Sequence, residues 1–338
     1  MRRPSFDNLL RVLNRQVPER PTLFEYFLND RLYLKLSGYA SVPEWGTLDY
    51  YRMLIAASAA AGYDYITVQV PDFWFPVKHV RQAASYSLND TAVICDRASF
   101  EEYLWPDPAR ARYSLLSEIV ALLPDGMKVV VHDPSGVLES VVALLGFAPL
   151  CYLLADDPKL LGDVFEAVGS RLVQYFSTAA RYKAVGALIS SDDWGFATQT
   201  MLPPEVLRSY LFPWHKQIVQ AIHEAGKPAI LHSCGNLEAV MDDIIDDMGF
   251  DAKHSFEDKI CPVEEAYERW GDRISILGGI DVDYVCRSTP GEIRQRSRAM
   301  LQRSAARGGY ALGTGNSVPE YVPDENYFAM ISVVAEEE

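Results

Sequence analysis

Short apolar runs alternate with longer amphipathic stretches along most of this chain. Eight runs rich in apolar and β-branched residues are candidate strands, and they cover residues 22–28, 65–70, 128–132, 185–190, 228–232, 251–255, 274–279 and 309–313. The first of these has the weakest strand pattern. Short buried strands that alternate with helices are typical of parallel βα units. Eight such units in one chain predict an α/β protein with a closed (β/α)8 TIM barrel.

Two of the helical stretches have clear ends. Apolar residues at positions 237, 240, 241, 244, 245 and 248 form one stripe, which ends at Gly249. The segment 289–292 is typical of a helix start, because Thr289 serves as N-cap, a proline follows it and Glu292 completes a capping box. The glycines at 308 and 309 predict the end of that helix.

A third helix is predicted over residues 204–225, where Pro213 should produce a kink. The two longest intervals between strands, 71–127 and 133–184, hold more than a single crossover helix. We therefore expect long βα insertions, either extra helices or a lid over the barrel mouth, besides extra N-terminal helices. No linker, repeat or low-complexity tract divides the sequence, so we expect a single barrel domain over residues 1–338.

The composition is that of a globular protein with a large core and an excess of acidic residues. The chain has 338 residues, of which 49% are hydrophobic and 23% charged, and its net charge is −15. This charge repels phosphate backbones and anionic membranes over roughly 8–10 Å. Lysines and arginines are scattered without a basic stripe, so we expect no nucleic-acid partner. No apolar run has spanning length, and the first residues lack a sustained apolar stretch, so we expect neither a membrane partner nor a signal peptide.

The cysteines suggest a reducing compartment. There are five of them, at positions 95, 151, 234, 261 and 286. An odd number without a framework spacing argues against disulfides, and a cytoplasmic location is expected.

The stretch from Lys227 to Asn236 carries the clearest chemical signal. An apolar run delivers His232 and Cys234 two residues apart and stops at Gly235. Residues i and i+2 of an extended chain project to the same side, and imidazole and thiolate are preferred zinc donors. Zinc needs at least one further protein ligand. The alternative is a core histidine bonded to the backbone beside an inert buried cysteine.

Polar residues follow most of the other predicted strands. In βα barrels the chemistry gathers at the C-terminal ends of the strands. The candidates there are His132, Asp133, Asp192, Asp193, Trp194, His254, Glu257, Asp258, Asp281, Asn316 and Ser317. Each of them also fits helix capping or turn chemistry. Their joint appearance on one predicted face favours a catalytic site.

Aromatic residues are numerous at predicted loop positions. They are Trp45, Phe73, Trp74, Phe75, Tyr86, Trp194 and Phe196. Most such residues pack in a core or a lid. Any that line the mouth would favour a flat aromatic or large apolar ligand.

An ordered set of motifs resembles the uroporphyrinogen decarboxylase superfamily, whose members share a (β/α)8 barrel. The motifs are Asp192-Asp-Trp-Gly-Phe, Pro204-Glu, Phe212-Pro-Trp-His, His232-Ser-Cys-Gly-Asn, Leu277-Gly-Gly-Ile-Asp, Gly308-Gly-Tyr-Ala-Leu-Gly-Thr-Gly-Asn and Val322-Pro-Asp-Glu-Asn. True decarboxylases of this superfamily bind propionates through an arginine-rich motif near the N-terminus. The equivalent stretch at 23–28 has no arginine. The segment 81–84, Arg-Gln-Ala-Ala, resembles the arginine-rich motif only superficially. Decarboxylation of a porphyrinogen is therefore disfavoured.

The chain looks more like the other branch, the corrinoid-dependent methyltransferases. Many of these hold zinc through His-x-Cys and a distant cysteine. His232 and Cys234 match the first two ligands, whereas the distant cysteine aligns with Asn316. The resemblance then implies either an oxygen ligand or no zinc. Glu257 is the first choice because it follows the neighbouring strand, and Asp193, Asn316 and Cys261 remain open.

The resemblance implies a zinc-dependent methyltransferase that moves a methyl group between a small substrate, such as a methoxylated compound, and a corrinoid. Nothing in the chain looks like a cobalamin-binding domain, so the corrinoid is expected on a separate protein. Asp193 and Asp281 are the expected catalytic residues, which orient the substrate or exchange a proton. Trp194 and Asn316 are expected to contact the substrate.

Two alternatives of other classes stay open. One is a metal-independent decarboxylase or lyase, in which Asp193 and Asp281 act as acid and base. The other is a catalytically inactive barrel that only binds a ligand. A homodimer is compatible with each of these functions.

Overall fold

Seven parallel strands form one curled sheet whose order follows the order along the chain. In the computed structural model, which describes residues 2–77, 88–89 and 91–336, the strands are β1 (Tyr65–Gln69), β2 (Lys128–His132), β3 (Val185–Ser191), β4 (Ala229–His232), β5 (Ala252–His254), β6 (Ser275–Leu277) and β7 (Tyr310–Ala311). Each strand pairs in parallel with the next. Most strand residues are buried, as expected for a parallel sheet covered by helices. Seven of the eight predicted strands and the α/β class are therefore confirmed.

The predicted first strand, residues 22–28, does not form a strand. Leu23 makes an isolated parallel bridge with Leu312, and the Phe24 N–H donates to the Leu312 carbonyl at 2.8 Å. On its other side, the backbone N–H and carbonyl of Glu25 bond to the Tyr65 hydroxyl at 2.8 and 2.6 Å. A side-chain hydroxyl thus takes the place of the β1 backbone. The segment lies between β7 and β1, but it makes no ladder with β1.

Helices cover the sheet and precede it. Fourteen α-helices lie in the described part of the chain: α1 (Phe6–Leu13), α2 (Asp30–Ser37), α3 (Leu48–Ala61), α4 (Arg97–Glu102), α5 (Ser114–Val120), α6 (Val137–Leu145), α7 (Phe147–Asp156), α8 (Pro158–Ala179), α9 (Pro204–Val206), α10 (Phe212–Glu224), α11 (Val263–Trp270), α12 (Val282–Arg287), α13 (Pro290–Ser304) and α14 (Asp324–Glu336). Among the residues described, none of these helices is by itself long and apolar enough to cross a membrane. Only α6 and α7 together, bent by 89°, have the required length and composition.

The long intervals between strands contain the expected extra helices. The interval after β1 holds α4 and α5, and the one after β2 holds α6, α7 and α8. Residues 78–87 and 90, where a lid was one alternative, lie outside the described part of the chain. This gap includes Tyr86 and the segment 81–84.

The predicted helix ends are largely confirmed, whereas the regularity of two helices is not. Thr289 caps α13 in a complete capping box. Residues 204–224 run from α9 through a π-helical turn, Leu207–Leu211, into α10, so the irregularity precedes Pro213. The apolar stripe at 237–248 is mostly buried, but its backbone forms a 3₁₀ turn, Glu238–Val240, and a π turn, Asp243–Asp247. The spacing of apolar residues predicts which face of a segment is buried, but it does not predict which type of helical hydrogen bond the backbone forms.

Glu25 is buried in a network in which every proton can be assigned. Its Oε1 accepts the Thr314 N–H at 2.7 Å, and its Oε2 lies 2.6 Å from Thr314 Oγ1. The Thr314 hydroxyl also contacts the Asn316 carbonyl, which can only accept. The one hydroxyl proton goes to that carbonyl, so the Glu25 carboxyl must donate to Oγ1. Burial raises the pKa of Glu25 to about 8, in agreement with a protonated carboxyl.

Replacing Glu25 with glutamine is expected to remove a pH dependence of stability. The folded pKa of about 8 lies above the ordinary value of 4.5. The stabilisation is therefore complete below the unfolded pKa, and it is lost as the pH rises toward the folded one. The loss is at most about 1.4 kcal/mol per pH unit. A glutamine amide keeps both hydrogen bonds without titrating.

Urea unfolding between about pH 5 and pH 8 measures this effect. The free energy of unfolding should decline less with pH in Glu25→Gln than in the unmodified protein. The exposed Glu325 provides a matched control, since Glu325→Gln should leave the profile unchanged. An equally steep decline in Glu25→Gln would contradict the assignment.

Candidate metal centre

Three side chains that can bind a metal converge at the C-terminal ends of β3 and β4. The ligand atoms of Asp193, His232 and Cys234 all lie within 4.8 Å of one another. His232 Nε2 and Cys234 Sγ are 3.8 Å apart. The i, i+2 spacing thus brings imidazole and thiol together, and the carboxylate comes from the loop after β3.

Two glycines in contact hold the two loops together. Gly235 has a φ of +86°, and a Cβ there would lie 2.2 Å from the carbonyl carbon of Gly195. The Asn236 N–H donates to the Phe196 carbonyl at 2.8 Å. The Cys234 N–H donates to Asp193 Oδ1 at 2.8 Å, so one donor residue orients the other. Any side chain on Gly235 would force the loops apart.

A chain of hydrogen bonds fixes the tautomer of His232. His254 Nε2 lies 3.3 Å from the Thr314 carbonyl, which can only accept, so this nitrogen carries the proton. His254 Nδ1 therefore accepts, and it lies 2.8 Å from His232 Nδ1, which must donate. Burial lowers the pKa of both imidazoles, that of His254 to about 3, so both are neutral. His232 Nε2 is left with a free lone pair on the side of Cys234.

If the donor group binds zinc, as the sequence analysis expects, replacing His254 with phenylalanine should weaken that binding about 10- to 100-fold. The substitution removes the acceptor that holds the Nδ1 proton of His232, and losses of this size follow removal of such partners. Competition against a chromophoric chelator measures the affinity. His223→Gln, on the outer end of α10, is the control and should leave the affinity unchanged. Equal affinity in His254→Phe and the unmodified protein would contradict the tautomer assignment.

The sulfur of Cys234 lies between two hydrogen-bond donors. Asn316 Oδ1 accepts the Ser317 N–H at 2.7 Å, so its Nδ2 faces the sulfur, at 3.3 Å. The Ser255 hydroxyl lies 3.5 Å from the sulfur on the other strand end. Burial, and secondarily Asp193, raises the pKa of Cys234 to about 12. The thiol is protonated in the metal-free protein, and a bound cation would have to displace that proton.

Lys253 ties the loops after β4 and β5 together. Its ammonium is buried and bonds to the carbonyls of Ser233 and Ser255 at 3.2 and 2.6 Å. It also lies 4.3 Å from the centre of the Phe256 ring. Burial lowers the pKa of Lys253 to about 8.

Glu257 and Cys261, which the sequence offered as further ligands, are not part of the donor group. Both line a small cleft beside Lys253 and Ser255. The Cys261 Sγ contacts the carbonyl of Pro262. Among the described residues the carboxylate in the group is that of Asp193, for which the sequence analysis expected a catalytic role.

Asp281 and Trp194 occupy structural positions. Asp281 caps α12 by accepting the Tyr284 N–H, and its other oxygen accepts the Asp258 N–H, both at 2.9 Å. Trp194 is fully buried, where its ring packs against Phe212 and His215. The loop after β3 turns inward at Trp194, so the aromatic side chain fills the core instead of the mouth.

A second acidic group lies behind Asp193. Asp192 is fully buried and accepts the N–H groups of Leu138 and Glu139 at the start of α6, as well as the Nε2 of His215, all at 2.9 Å. Burial, followed by the charges of Asp192 and Asp193, raises the pKa of Glu139 to about 8. Asp192 therefore anchors α6, while Glu139 is a protonated carboxyl near the metal-ligand group.

Two sizeable cavities flank the site. The Asp193 cavity has a volume of about 390 Å³ and is lined by Asp193 and Glu139 together with apolar groups that include Phe196 and Met201. The aromatic cavity, of about 430 Å³, lies at the ends of β1 and β2 and is lined by rings that include Trp45. Of the aromatic residues at predicted loop positions, Phe196 and Trp45 are thus exposed and line cavities.

Sequence reasoning missed several groups around the donors. The ring of Tyr26 lies 4.8 Å from that of His232, and its hydroxyl lies 3.0 Å from His132 Nδ1. Tyr26 belongs to the first apolar run, where a strand was expected and no site residue was sought. Glu139 follows no strand directly. The one sequence feature that marks Glu139 is its position as an acidic residue in the first turn of a helix, α6.

Comparisons with known proteins agree with this architecture. The sequence profile of uroporphyrinogen decarboxylase (URO-D) matches residues 91–337. No curated protein sequence matches the chain. A methyltransferase from Methanosarcina mazei has a similar structure, with a TM-score of 0.71, 15% identity and coverage of 97% of each chain. A candidate vitamin-B12-independent methionine synthase from Listeria monocytogenes gives a TM-score of 0.50 and 13% identity, with coverage of 94% of this chain and 98% of its own. At these identities the structural likenesses establish the fold alone.

Proposed function

The chain belongs to the uroporphyrinogen decarboxylase family, and we propose that it is a zinc-dependent methyltransferase. It moves a methyl group between a small substrate and a corrinoid that a separate protein carries. The observation that carries the proposal is the convergence of Asp193, His232 and Cys234. The similarity in fold to a methyltransferase from Methanosarcina mazei is consistent with it.

The donor set suits zinc. Nitrogen, sulfur and carboxylate oxygen are its usual ligands, and three protein ligands with one open position are typical of catalytic sites. In a tetrahedral zinc site the nitrogen and sulfur ligands are about 3.5 Å apart, close to the 3.8 Å between His232 Nε2 and Cys234 Sγ. His232 offers a free lone pair in the required direction. We infer that Asp193, and not Glu257, is the third ligand.

Zinc held there would supply a Lewis acid that stabilises negative charge on the heteroatom that loses or gains the methyl group. The protein's own groups prepare the site for this chemistry. His254 fixes the orientation of His232, and Ser255 and Asn316 donate toward the sulfur of Cys234. Asn316 thus serves the site through its amide N–H.

Glu139 is the best candidate for proton exchange with the substrate. When a methyl group leaves an oxygen or sulfur, the electron pair stays on that atom, which then takes up a proton. Glu139 lines the Asp193 cavity, and its pKa of about 8 leaves it protonated at neutral pH. Its carboxyl accepts the Gly136 N–H in a long hydrogen bond of 3.3 Å and makes no other hydrogen bond to the described residues, so it remains available. Asp281, the earlier candidate, has both oxygens engaged.

A small neutral substrate, such as a methoxylated compound, suits the Asp193 cavity. Its described lining is apolar apart from Asp193, Glu139 and two hydroxyl side chains. Among the described residues, neither this cavity nor the aromatic cavity is lined by arginine or lysine. The described lining therefore offers no cation to a polycarboxylic porphyrinogen, which gives the decarboxylase alternative less support.

Methyl transfer to reduced cobalamin, used in place of the corrinoid protein, tests the proposal. Protein purified without chelator is mixed with a panel of methoxylated compounds, and the cobalt absorbance is followed. Loss of the reduced-cobalt spectrum with formation of the demethylated product is the expected result. Glu139→Gln should slow the reaction while leaving zinc content unchanged. A protein without zinc that decarboxylates an acid substrate would overturn the proposal.

A further inference from the structure

The aromatic cavity has a lining unlike that of the Asp193 cavity. It opens at the C-terminal ends of β1 and β2, beside α2 and α3, and has a volume of about 430 Å³. This lies within the range of about 300–1,000 Å³ common for small-molecule sites. Five aromatic rings line it, those of Phe27, Tyr33, Trp45, Tyr50 and Tyr51. So many rings around one space favour a ligand that interacts with π faces.

The charge at the cavity is negative. Asp30 and Glu320 are exposed and line it, and neither has an ion-pair partner among the described residues. The nearby arginines are engaged elsewhere, because Arg31 pairs with Asp324 and Arg112 pairs with Glu118. Burial lowers the pKa of His132, the one histidine in the lining, to about 4, so it carries no charge at neutral pH.

One buried polar atom in this lining has no partner. Tyr51 is 1% exposed, and its hydroxyl makes no hydrogen bond to the described residues. Arg112, the cation that affects it electrostatically, donates instead to Glu118 and to the Gly46 carbonyl. Buried hydroxyl groups are normally satisfied, so Tyr51 is an exception among the residues around this cavity.

The aromatic cavity lies next to the metal centre without being part of it. His132 lines the cavity, and its Nδ1 lies 3.0 Å from the Tyr26 hydroxyl. On its other side, Tyr26 packs against His232. None of the three metal-binding side chains lines the aromatic cavity.

We propose that the aromatic cavity is a binding site for a small organic cation with a methylated ammonium group. Aromatic faces attract such cations through their quadrupole, and Trp45 is the strongest of the five rings in this respect. Asp30 and Glu320 supply the compensating charge at the rim. The net charge of −15 raises the local concentration of cations.

A matched pair of ligands separates charge from shape. Choline and its neutral carbon isostere, 3,3-dimethylbutan-1-ol, have nearly the same size and the same hydroxyl. NMR titration of the ligand methyl signals gives both dissociation constants. Choline is expected to bind about tenfold more tightly, because only the cation gains from the rings and carboxylates. Equal binding of the isostere, or no binding of choline, overturns the proposal.

Variants locate the binding. Trp45→Ala should weaken choline binding about fivefold or more, and Asp30→Asn should weaken choline but not the isostere. Trp74→Ala is the matched control, because Trp74 is similarly exposed and does not line the cavity. Unchanged affinity in Trp45→Ala overturns the proposal. The experiment needs neither zinc nor methyl transfer, and the same affinities are expected in Cys234→Ala, so its outcome is independent of the proposed activity.

Discussion

Replacing Cys234 with alanine is expected to abolish stoichiometric zinc and to lower the rate of methyl transfer about a thousandfold or more. The substitution removes the sulfur from the group of three donors found among the described residues, which leaves Asp193 and His232. Two ligands do not make a stable zinc site. A metal that acts as Lewis acid contributes several kcal/mol to the transition state, which corresponds to this loss of rate.

Elemental analysis of chelator-free protein gives the zinc content per chain. Cys261→Ala is the matched control, because Cys261 is also partly buried and free but lies outside the donor group. It should retain zinc and activity. Stoichiometric zinc in Cys234→Ala, or loss of zinc in Cys261→Ala, would show that the centre lies elsewhere.

Asp192→Ala is expected to lower the free energy of unfolding by about 3–5 kcal/mol, because it leaves several buried hydrogen-bond donors without their acceptor. Asp192 and His215 are both completely buried, 2.9 Å apart. The same carboxylate accepts two N–H groups at the start of α6. Alanine leaves three buried donors without an acceptor and a cavity beside Gly136. Thermal and urea unfolding measure the loss.

The adjacent aspartate gives the contrasting result. Asp193→Ala removes one hydrogen bond, from the Cys234 N–H, and should cost only about 1 kcal/mol of stability. Zinc affinity should instead fall steeply. Asp192→Asn, which keeps an acceptor oxygen in place, should be more stable than Asp192→Ala. If the two alanine variants lost equal stability, the division into an anchoring and a metal-binding aspartate would be wrong.

Much of the fold could be predicted because the strands are short, apolar and separated by helices. The segment 22–28 was the exception, since its apolar pattern equals that of a strand while its backbone bonds to the Tyr65 hydroxyl. Which groups accept a backbone hydrogen bond depends on residues distant in sequence. The prediction of a regular α-helix over 237–248 was wrong for a similar reason, because a π turn and an α-helix bury nearly the same face.

The site was predictable only as far as local spacing reaches. His232 and Cys234 share a strand end, and their spacing alone puts them side by side. To predict the third donor, the loop after β3 had to be distinguished from the loop after β5, since both strands are neighbours of β4. The contact between Gly195 and Gly235 brings the first loop in, and no local pattern encodes that contact. The role of His254 depended on the strand register that sets it beside His232.

The segment that lies between β7 and β1 has a practical consequence for work with fragments. The profile match begins at residue 91, yet Tyr26 packs on His232 and Glu25 bonds to Thr314. A truncated protein cut at the edge of the matched region would lose β1 together with this segment, and the histidine would be open to water from behind. Expressed fragments should therefore also include the first ninety residues of the chain, which contain this segment and β1.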